Sequence, residues 1–381
     1  MILQAGTVVL SDRILRPGHV IVDGERIADA RDGRHPRPDL EFAAGTLVPG
    51  FVDLQINGAA GCDFLSPTDE GLAAAERHML ATGTVAYLPT LITSPEDRLR
   101  AALAFFAART RRPGAPRIIG VHLEGPFLSG ARVGAHRPAH LRPPSIQWID
   151  RLLSDFQGAV RIVTLAPELE GASDVIAHLR AKGVTVAAGH TDATFEQAMT
   201  AFTAGVRLAT HVFNAMRPIH HREPGIVGAA LARPDVTCSL IADLVSVHPA
   251  VLKMVVSLKG PERTALITDA ISAAGAPAGR MTLGDQDVTV EGGAPRLPDG
   301  TLAGSVLTMD QAVRTMAGMT ELPAAVKMAA ETPSRLVGHD CGAIAPGRRA
   351  DFAILDAELH PVATIVGGRV AYQRDAYQRD A

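Results

Sequence analysis

Eight short apolar runs alternate with longer amphipathic segments through the middle of this chain, and that alternation restricts its fold more than any other feature. The runs are Phe51–Leu54, Val85–Leu88, Ile118–Val121, Val160–Leu165, Val184–Ala188, Val206–Ala209, Val236–Ile241 and Ala265–Ile267. Each is short and predominantly apolar, as the buried strands of a parallel sheet are. Several intervening segments open with helix-start signals. Ser66-Pro67 precedes Asp69 and Glu70, and Ser94-Pro95 precedes Leu99, Leu103 and Phe106 at helical spacing. Thr194 to Gln197 and Thr308 to Gln311 have the form of capping boxes, and Gly205 closes the first of these helices. Eight strands alternating with helices predict a (β/α)8 TIM-type barrel. An open doubly wound sheet is the alternative, but no Gly-x-Gly-x-x-Gly follows the first run.

The two ends read differently. Thr7–Leu10, Val20–Val22 and Arg26–Ala28, with Asp23-Gly24 between the last two, are strand and hairpin signals. Ala350–Leu355, Ala363–Val366 and Arg369–Tyr372, with Gly367-Gly368 as a turn, repeat that pattern at the C-terminus. The expected organisation is therefore a barrel over residues 49–345 and a small β-sandwich domain assembled from 1–48 and 346–381. The pentapeptide Ala-Tyr-Gln-Arg-Asp occurs twice in succession at 371–375 and 376–380 and is expected to be a frayed, functionally silent tail.

Composition removes several classes of function. Net charge is −3, from 37 basic and 40 acidic residues, so no basic field awaits nucleic acid or an anionic membrane. The 11 Phe, 3 Tyr and 1 Trp are too few for base-stacking platforms. The longest stretch without Asp, Glu, Lys or Arg, 78–95, is interrupted by Thr82, Gly83, Thr84, Pro89 and Thr90, unlike a membrane span. Cys62, Cys238 and Cys341 are odd in number and widely spaced, so they read as isolated thiols of a reducing compartment. No basic region precedes the first apolar residues. A cytoplasmic protein is expected.

Polar residues recur where these strands end. Gln55 and Asn57 follow the first run, His122 and Glu124 the third, His190 the fifth and His211 the sixth, while Asp269 follows the eighth. In a barrel these ends share one rim. Any one of the histidines alone reads more readily as a satisfied structural residue, and it is their convergence with two acids that carries the signal. Glu124, His190 and His211 form a His2Glu set with a fourth position left for water, as in catalytic zinc sites. Asp269 then suits proton transfer, and His136, on the loop after the third run, suits polarisation of a carbonyl. Many two-metal hydrolases place His-x-His after the first strand. Here Gln55 and Asn57 occupy those positions, and amides bind a soft cation poorly. The fourth strand ends in Ala166-Pro167-Glu168 rather than in a lysine that could bridge two metals. One divalent ion per subunit, zinc, is expected.

The strings Pro49-Gly-Phe-Val-Asp53, His122-Leu-Glu-Gly-Pro126, Gly189-His-Thr191, Thr210-His-Val-Phe-Asn-Ala-Met216, Arg222-Glu-Pro-Gly225, Thr268-Asp-Ala270 and Leu302-Ala-Gly-Ser305 occur in this order. Together they resemble the N-acetylglucosamine-6-phosphate deacetylases of the amidohydrolase superfamily, over about residues 5 to 370. The resemblance implies a barrel with a small β-domain from both termini and hydrolysis of the acetamide of a phosphorylated amino sugar. It also implies Glu124, His190 and His211 as metal ligands, Asp269 as acid/base, and Ala135 and His136 at the substrate carbonyl. Asn214 and Ala215 would bind through backbone amides, Arg222 would bind phosphate, and Leu302, Ala303, Gly304 and Ser305 would line the substrate. A homodimer with the phosphate site near the subunit contact is implied as well.

One departure stands out. The family's Asp-Gly-x-His after strand seven reads Asp243-Leu-Val-Ser246 here, replacing an imidazole that contacts the sugar by a smaller neutral group at Ser246. That opens N-acetylgalactosamine 6-phosphate as an alternative substrate. Another amidohydrolase acting on an N-acyl compound is a further alternative.

Overall fold

The computed structural model describes residues 1–110, 112–277 and 280–375. Eight strands run parallel in sequence order: β1 (Phe51–Ile56), β2 (Thr84–Ile92), β3 (Val121–Glu124), β4 (Val160–Leu165), β5 (Thr185–Ala188), β6 (Leu208–Ala209), β7 (Thr237–Ile241) and β8 (Thr264–Ile267). Each pairs with the next. The ring closes just beyond β8, where the Asp269 amide donates to the Gln55 carbonyl at 2.8 Å and the Asn57 amide to Ala270 at 2.7 Å. This is the (β/α)8 barrel expected from the eight runs.

β2, β3, β6, β7 and β8 are buried at every position, and they are the apolar, β-branched stretches of the sequence. Full burial of each Val, Leu or Ile side chain stabilises by about 1.5–3 kcal/mol. The helix over Phe195–Ala204 shows its local logic in full: Thr194 Oγ1 accepts from Gln197 N, Gln197 Oε1 accepts from Thr194 N, and Gly205 ends it at φ +109°. Thr308 does not form the expected box. It precedes the helix Met309–Ala317, but its hydroxyl donates to Asp310 Oδ1 instead of receiving a backbone N–H.

The third run needed correction. Ile118–Val121 splits into Arg117–Ile118 and β3, which starts three residues later than expected. Gly120 lies at φ +138°, and a Cβ there would sit 2.1 Å from Arg161 Cγ, so the chain kinks at the one residue able to pass. His122 and Glu124 therefore lie within the strand. Two residues apart, they share the face turned into the barrel.

Terminal strands Ile2–Val9, Gly18–Asp23, Arg26–Asp32 and Leu40–Pro49 join Phe352–Leu355, Pro361–Val366 and Arg369–Gln373 in one eight-stranded sheet, with Ile14–Leu15 on its flank. The two ends meet where Leu40–Pro49 pairs antiparallel with Phe352–Leu355. This sheet has a core of its own, including Leu3, Val20, Ile27, Phe352 and Ile365. The first AYQRD copy supplies Ala371–Gln373 to the last strand, whereas the second lies outside the described residues.

An antiparallel sheet of Arg280–Leu283, Gln286–Glu291 and Ala294–Arg296, absent from the expectations above, rises after β8 and covers the rim. Gln286 Nε2 donates to the Ala135 carbonyl, and Arg137 Nε pairs with Asp285 at 2.7 Å. The cover is thus tied to the loop carrying His136. Among the described residues, no helix is long and apolar enough to cross a membrane.

Candidate active site

Glu124 at the end of β3, His190 after β5 and His211 after β6 converge at the rim, all buried. Glu124 Oε1 lies 3.0 Å from His211 Nε2 and 3.2 Å from His190 Nε2, and the two Nε2 atoms are 3.2 Å apart. His190 Nδ1 faces the Arg132 carbonyl at 3.1 Å. It must donate there, so Nε2 presents a lone pair. Three ligands bound at about 2.0–2.1 Å to a tetrahedral cation stand roughly 3.3 Å from one another. The observed triangle is close to that size, and its donor set of two imidazoles and a carboxylate suits zinc chemistry. The residues fit a metal ion.

Burial disfavours a charge on Glu124, but the adjacent His190 and His211 rings outweigh it and hold the carboxyl well below the usual range. Asp269 is also buried, and desolvation, followed by the Glu124 charge, raises it to about 7. Such a group exchanges protons near neutrality. Its Oδ1 accepts from Asn57 Nδ2 at 2.8 Å and Gln55 Nε2 at 3.3 Å, and Gln55 Nε2 also donates to Glu124 Oε1 at 2.9 Å. Gln55 and Asn57 therefore direct N–H groups at the two carboxylates where a second cation would need lone pairs. Sequence reasoning had considered these amides only as failed metal ligands. Their position at the end of β1 was the available signal that they meet the other rim residues.

His136 Nδ1 accepts from the Thr93 amide at 3.3 Å, so the proton of the neutral ring is on Nε2, 3.7 Å from Glu124 Oε2. Burial, then the adjacent His190, lowers its pKa to about 3 and keeps the ring neutral. Gly134 lies at φ +57° with a would-be Cβ 3.0 Å from the His190 ring, so this loop packs directly on the ligand. His122 is a structural residue below the rim: its ring bonds Leu54 O at 3.0 Å and Thr164 Oγ1 at 2.8 Å.

His190, His211 and Asp269 have φ of +48°, +32° and +50°. Left-handed backbone costs a non-glycine residue about 1–2 kcal/mol. The turn directs each side chain inward immediately beyond its strand, and neighbouring bonds hold it. Glu168 beyond β4, for example, accepts from the Asp192 amide at 2.7 Å and pins the segment after His190.

A cavity of about 300 Å3 opens over these groups. Ala135, His136, Asn214, Ala215, Ser246, Leu302 and Gly304 line it together with the metal triad and Asp269. Other expected residues do not. Ala303 and Ser305 are buried behind it, and the Ser305 amide and hydroxyl donate to Asp269 O and Thr268 O, where they brace the end of β8. Arg222 is exposed, with Nη1 2.7 Å from His221 Nε2, and does not line the cavity of its own chain. The Asn214 amide is committed to His211 O at 2.9 Å, leaving that of Ala215 for a ligand. Ser246 donates its hydroxyl to Asp243 Oδ2 at 2.8 Å. Leu283, Arg296, Gly300 and Thr301 were missed, because they reach the cavity through the covering sheet.

A parallel barrel with a His2Glu triad and a buried acid on its C-terminal rim defines a metal-dependent hydrolase. The chain belongs to the amidohydrolase family, whose profile it matches over residues 46–375. It is 40% identical over 337 residues to the N-acetylgalactosamine-6-phosphate deacetylase of Escherichia coli O157:H7, covering 87% of this chain and 89% of the relative. It is 37% identical over 396 residues to the human N-acetylglucosamine-6-phosphate deacetylase, covering 98% and 95%. The solved structure of a mutant N-acetyl-D-glucosamine-6-phosphate deacetylase from Mycobacterium smegmatis, in complex with N-acetyl-D-glucosamine-6-phosphate, superposes with a TM-score of 0.94. That pair shares 38% identity and covers 98% of this chain and 99% of the other. Within the family, the chain's place is among the N-acetylglucosamine-6-phosphate deacetylases.

Proposed function

We propose that the chain hydrolyses the acetamide of N-acetylglucosamine 6-phosphate to glucosamine 6-phosphate and acetate. The observation that carries this reading is the convergence of Glu124, His190 and His211 within 3.2 Å of one another beneath a cavity that Asp269 and His136 also enter. A single zinc ion is the proposed occupant of the site, which Glu124, His190 and His211 would hold. Bound there, it would supply Lewis acidity that makes a water nucleophilic near neutral pH.

This chain's residues account for the remaining steps. His136 donates Nε2–H to the acetamide oxygen and stabilises charge developing there. Asp269 accepts the proton of the attacking water and delivers it to the sugar nitrogen as the C–N bond breaks. Gln55 and Asn57 hold the Asp269 carboxylate toward the reacting atoms. The products are a free amine and acetate, so proton and oxygen are both accounted for.

A homodimer is part of the proposal. Ile219, Leu244, Val245, Met254 and Leu258 are large apolar side chains exposed to solvent, the first of them three residues from Arg222, and exposed apolar surface of this kind favours a partner. Arg222, remote from its own cavity, would then serve the phosphate from the subunit contact. A solution mass of one chain removes this part. The cytoplasmic setting is supported by three buried, unpaired cysteines.

Acetate release from N-acetylglucosamine 6-phosphate, its galacto epimer and both unphosphorylated sugars tests the activity. The phosphorylated gluco compound is expected to have the highest kcat/KM. Preference for an unphosphorylated sugar, or no acetate from any of them, overturns the reading. A higher value for the galacto epimer transfers the assignment to that sugar.

A further inference from the structure

A phosphate monoester in the cavity needs a cation, and the residues expected to face it do not provide one from the same chain. Arg222 stands outside the cavity, and Ser246, where the family carries an imidazole, is neutral with its hydroxyl bonded to Asp243. Among the described residues lining the cavity, the only guanidinium is that of Arg296. It ends the strand Ala294–Arg296 of the covering sheet and is half buried. Its Nη1 donates to the Gly300 carbonyl at 2.8 Å, and its backbone bridges Leu302. The arginine and the cavity-lining turn therefore form one unit.

No carboxylate among the described residues pairs with Arg296, in contrast to Arg137 on the facing loop, which Asp285 neutralises. With Nη1 pinned, the Nε–H and Nη2–H edge has no bond among the described residues, and two parallel donors at that spacing match two oxygens of a phosphate. A half-buried, unpaired cation facing a cavity is unfavourable until an anion arrives.

We infer that Arg296 is a further specificity-determining residue: it gives the substrate's 6-phosphate a guanidinium from the same chain that holds the metal ligands, in addition to the Arg222 that a dimer would bring to the subunit contact. The inference rests on the deacetylase reading above for the identity of the substrate, but not for the anion itself. The covering sheet then does more than exclude water. It admits phosphorylated sugars in preference to neutral ones.

Two measurements test this on the full-length protein. In the first, calorimetry compares glucose 6-phosphate, which has no acetamide to cleave, with glucose. Arg296→Ala is expected to weaken glucose 6-phosphate binding by about 10–100-fold, the range of a charge-assisted bidentate contact, with binding of glucose unaltered. Arg296→Lys, which keeps the charge but loses the fork, should fall between. In the second, R296A should raise KM for N-acetylglucosamine 6-phosphate by about 10–100-fold and change kcat/KM for N-acetylglucosamine far less. Equal losses on both sugars, unchanged glucose 6-phosphate binding, or wild-type protein that does not bind it overturns the inference. If wild-type protein releases no acetate but the calorimetric contrast persists, the deacetylase reading falls and the anion site stands.

Discussion

Replacing Asp269 by Asn is expected to lower kcat by about 10²–10⁴-fold, the contribution of a positioned general acid/base. The substitution preserves shape, and Asn57 and Gln55 can still hold the remaining side-chain oxygen, so the barrel should close as before. What is lost is a group that burial and the Glu124 charge raise to about 7, which is able both to take a proton from water and to return it to nitrogen. An amide can do neither. The metal triad does not include Asp269, so the variant should retain its metal ion, and KM should change little. A variant with turnover within about threefold of wild type would remove Asp269 from the proton path, because a general acid/base is worth at least about 10²-fold. Simultaneous loss of the metal would instead make it a ligand.

The second large effect belongs to His190. Elemental analysis of the wild-type protein is expected to find one divalent equivalent per chain. His190→Ala should carry far less and lose activity by more than about 10³-fold, because the lowering of water's pKa from about 16 to about 7 is withdrawn with the ion. The structure explains why no substitute ligand is at hand. Gln55 presents N–H groups to Glu124, and His136 offers Nε2–H, so neither provides a lone pair to the vacated position. Two tightly held equivalents in wild type would contradict the single-metal proposal. Full occupancy in the variant would exclude His190 from the set.

The barrel was legible because its strands are short, apolar and evenly interrupted, and periodicity reports burial directly. Its rim was legible for a related reason: a polar residue just beyond an apolar strand has few places to go except the shared mouth. Registers were harder to read. The kink at Gly120 displaces the strand from Ile118–Val121 to Val121–Glu124, so His122 and Glu124, read as following the third strand, are inward-facing positions two residues apart within it. Strand Leu40–Pro49 went unread because exposed and buried positions do not alternate along it.

The covering sheet did leave a trace. Leu283-Gly284-Asp285-Gln286 is a turn signal between residues that pair across a hairpin, but the strands beside it are polar and two of them are very short. Arg222 illustrates the opposite limit. Its sequence neighbourhood matches a known pattern, but the irregular segment around it has no period from which a direction could be read, and the side chain is absent from its own cavity. The backbone amides at Asn214 and Ala215 were similarly opaque, since a sequence does not show which N–H groups a turn has already bonded.

The cover's origin in one excursion between β8 and the helix Met309–Ala317 separates two tasks along the chain. Bond cleavage depends on groups anchored to the ends of several strands, so altering any of them disturbs a jointly braced ring. On the reading proposed for Arg296, recognition of the sugar's far end draws on the segment between Ala270 and Ser305, whose two ends bridge each other at the ring, the kind of surface segment that tolerates exchange. Exchanging that module between related hydrolases is therefore expected to change which sugars are accepted, with the reactive machinery left as a fixed engine beneath an interchangeable visor.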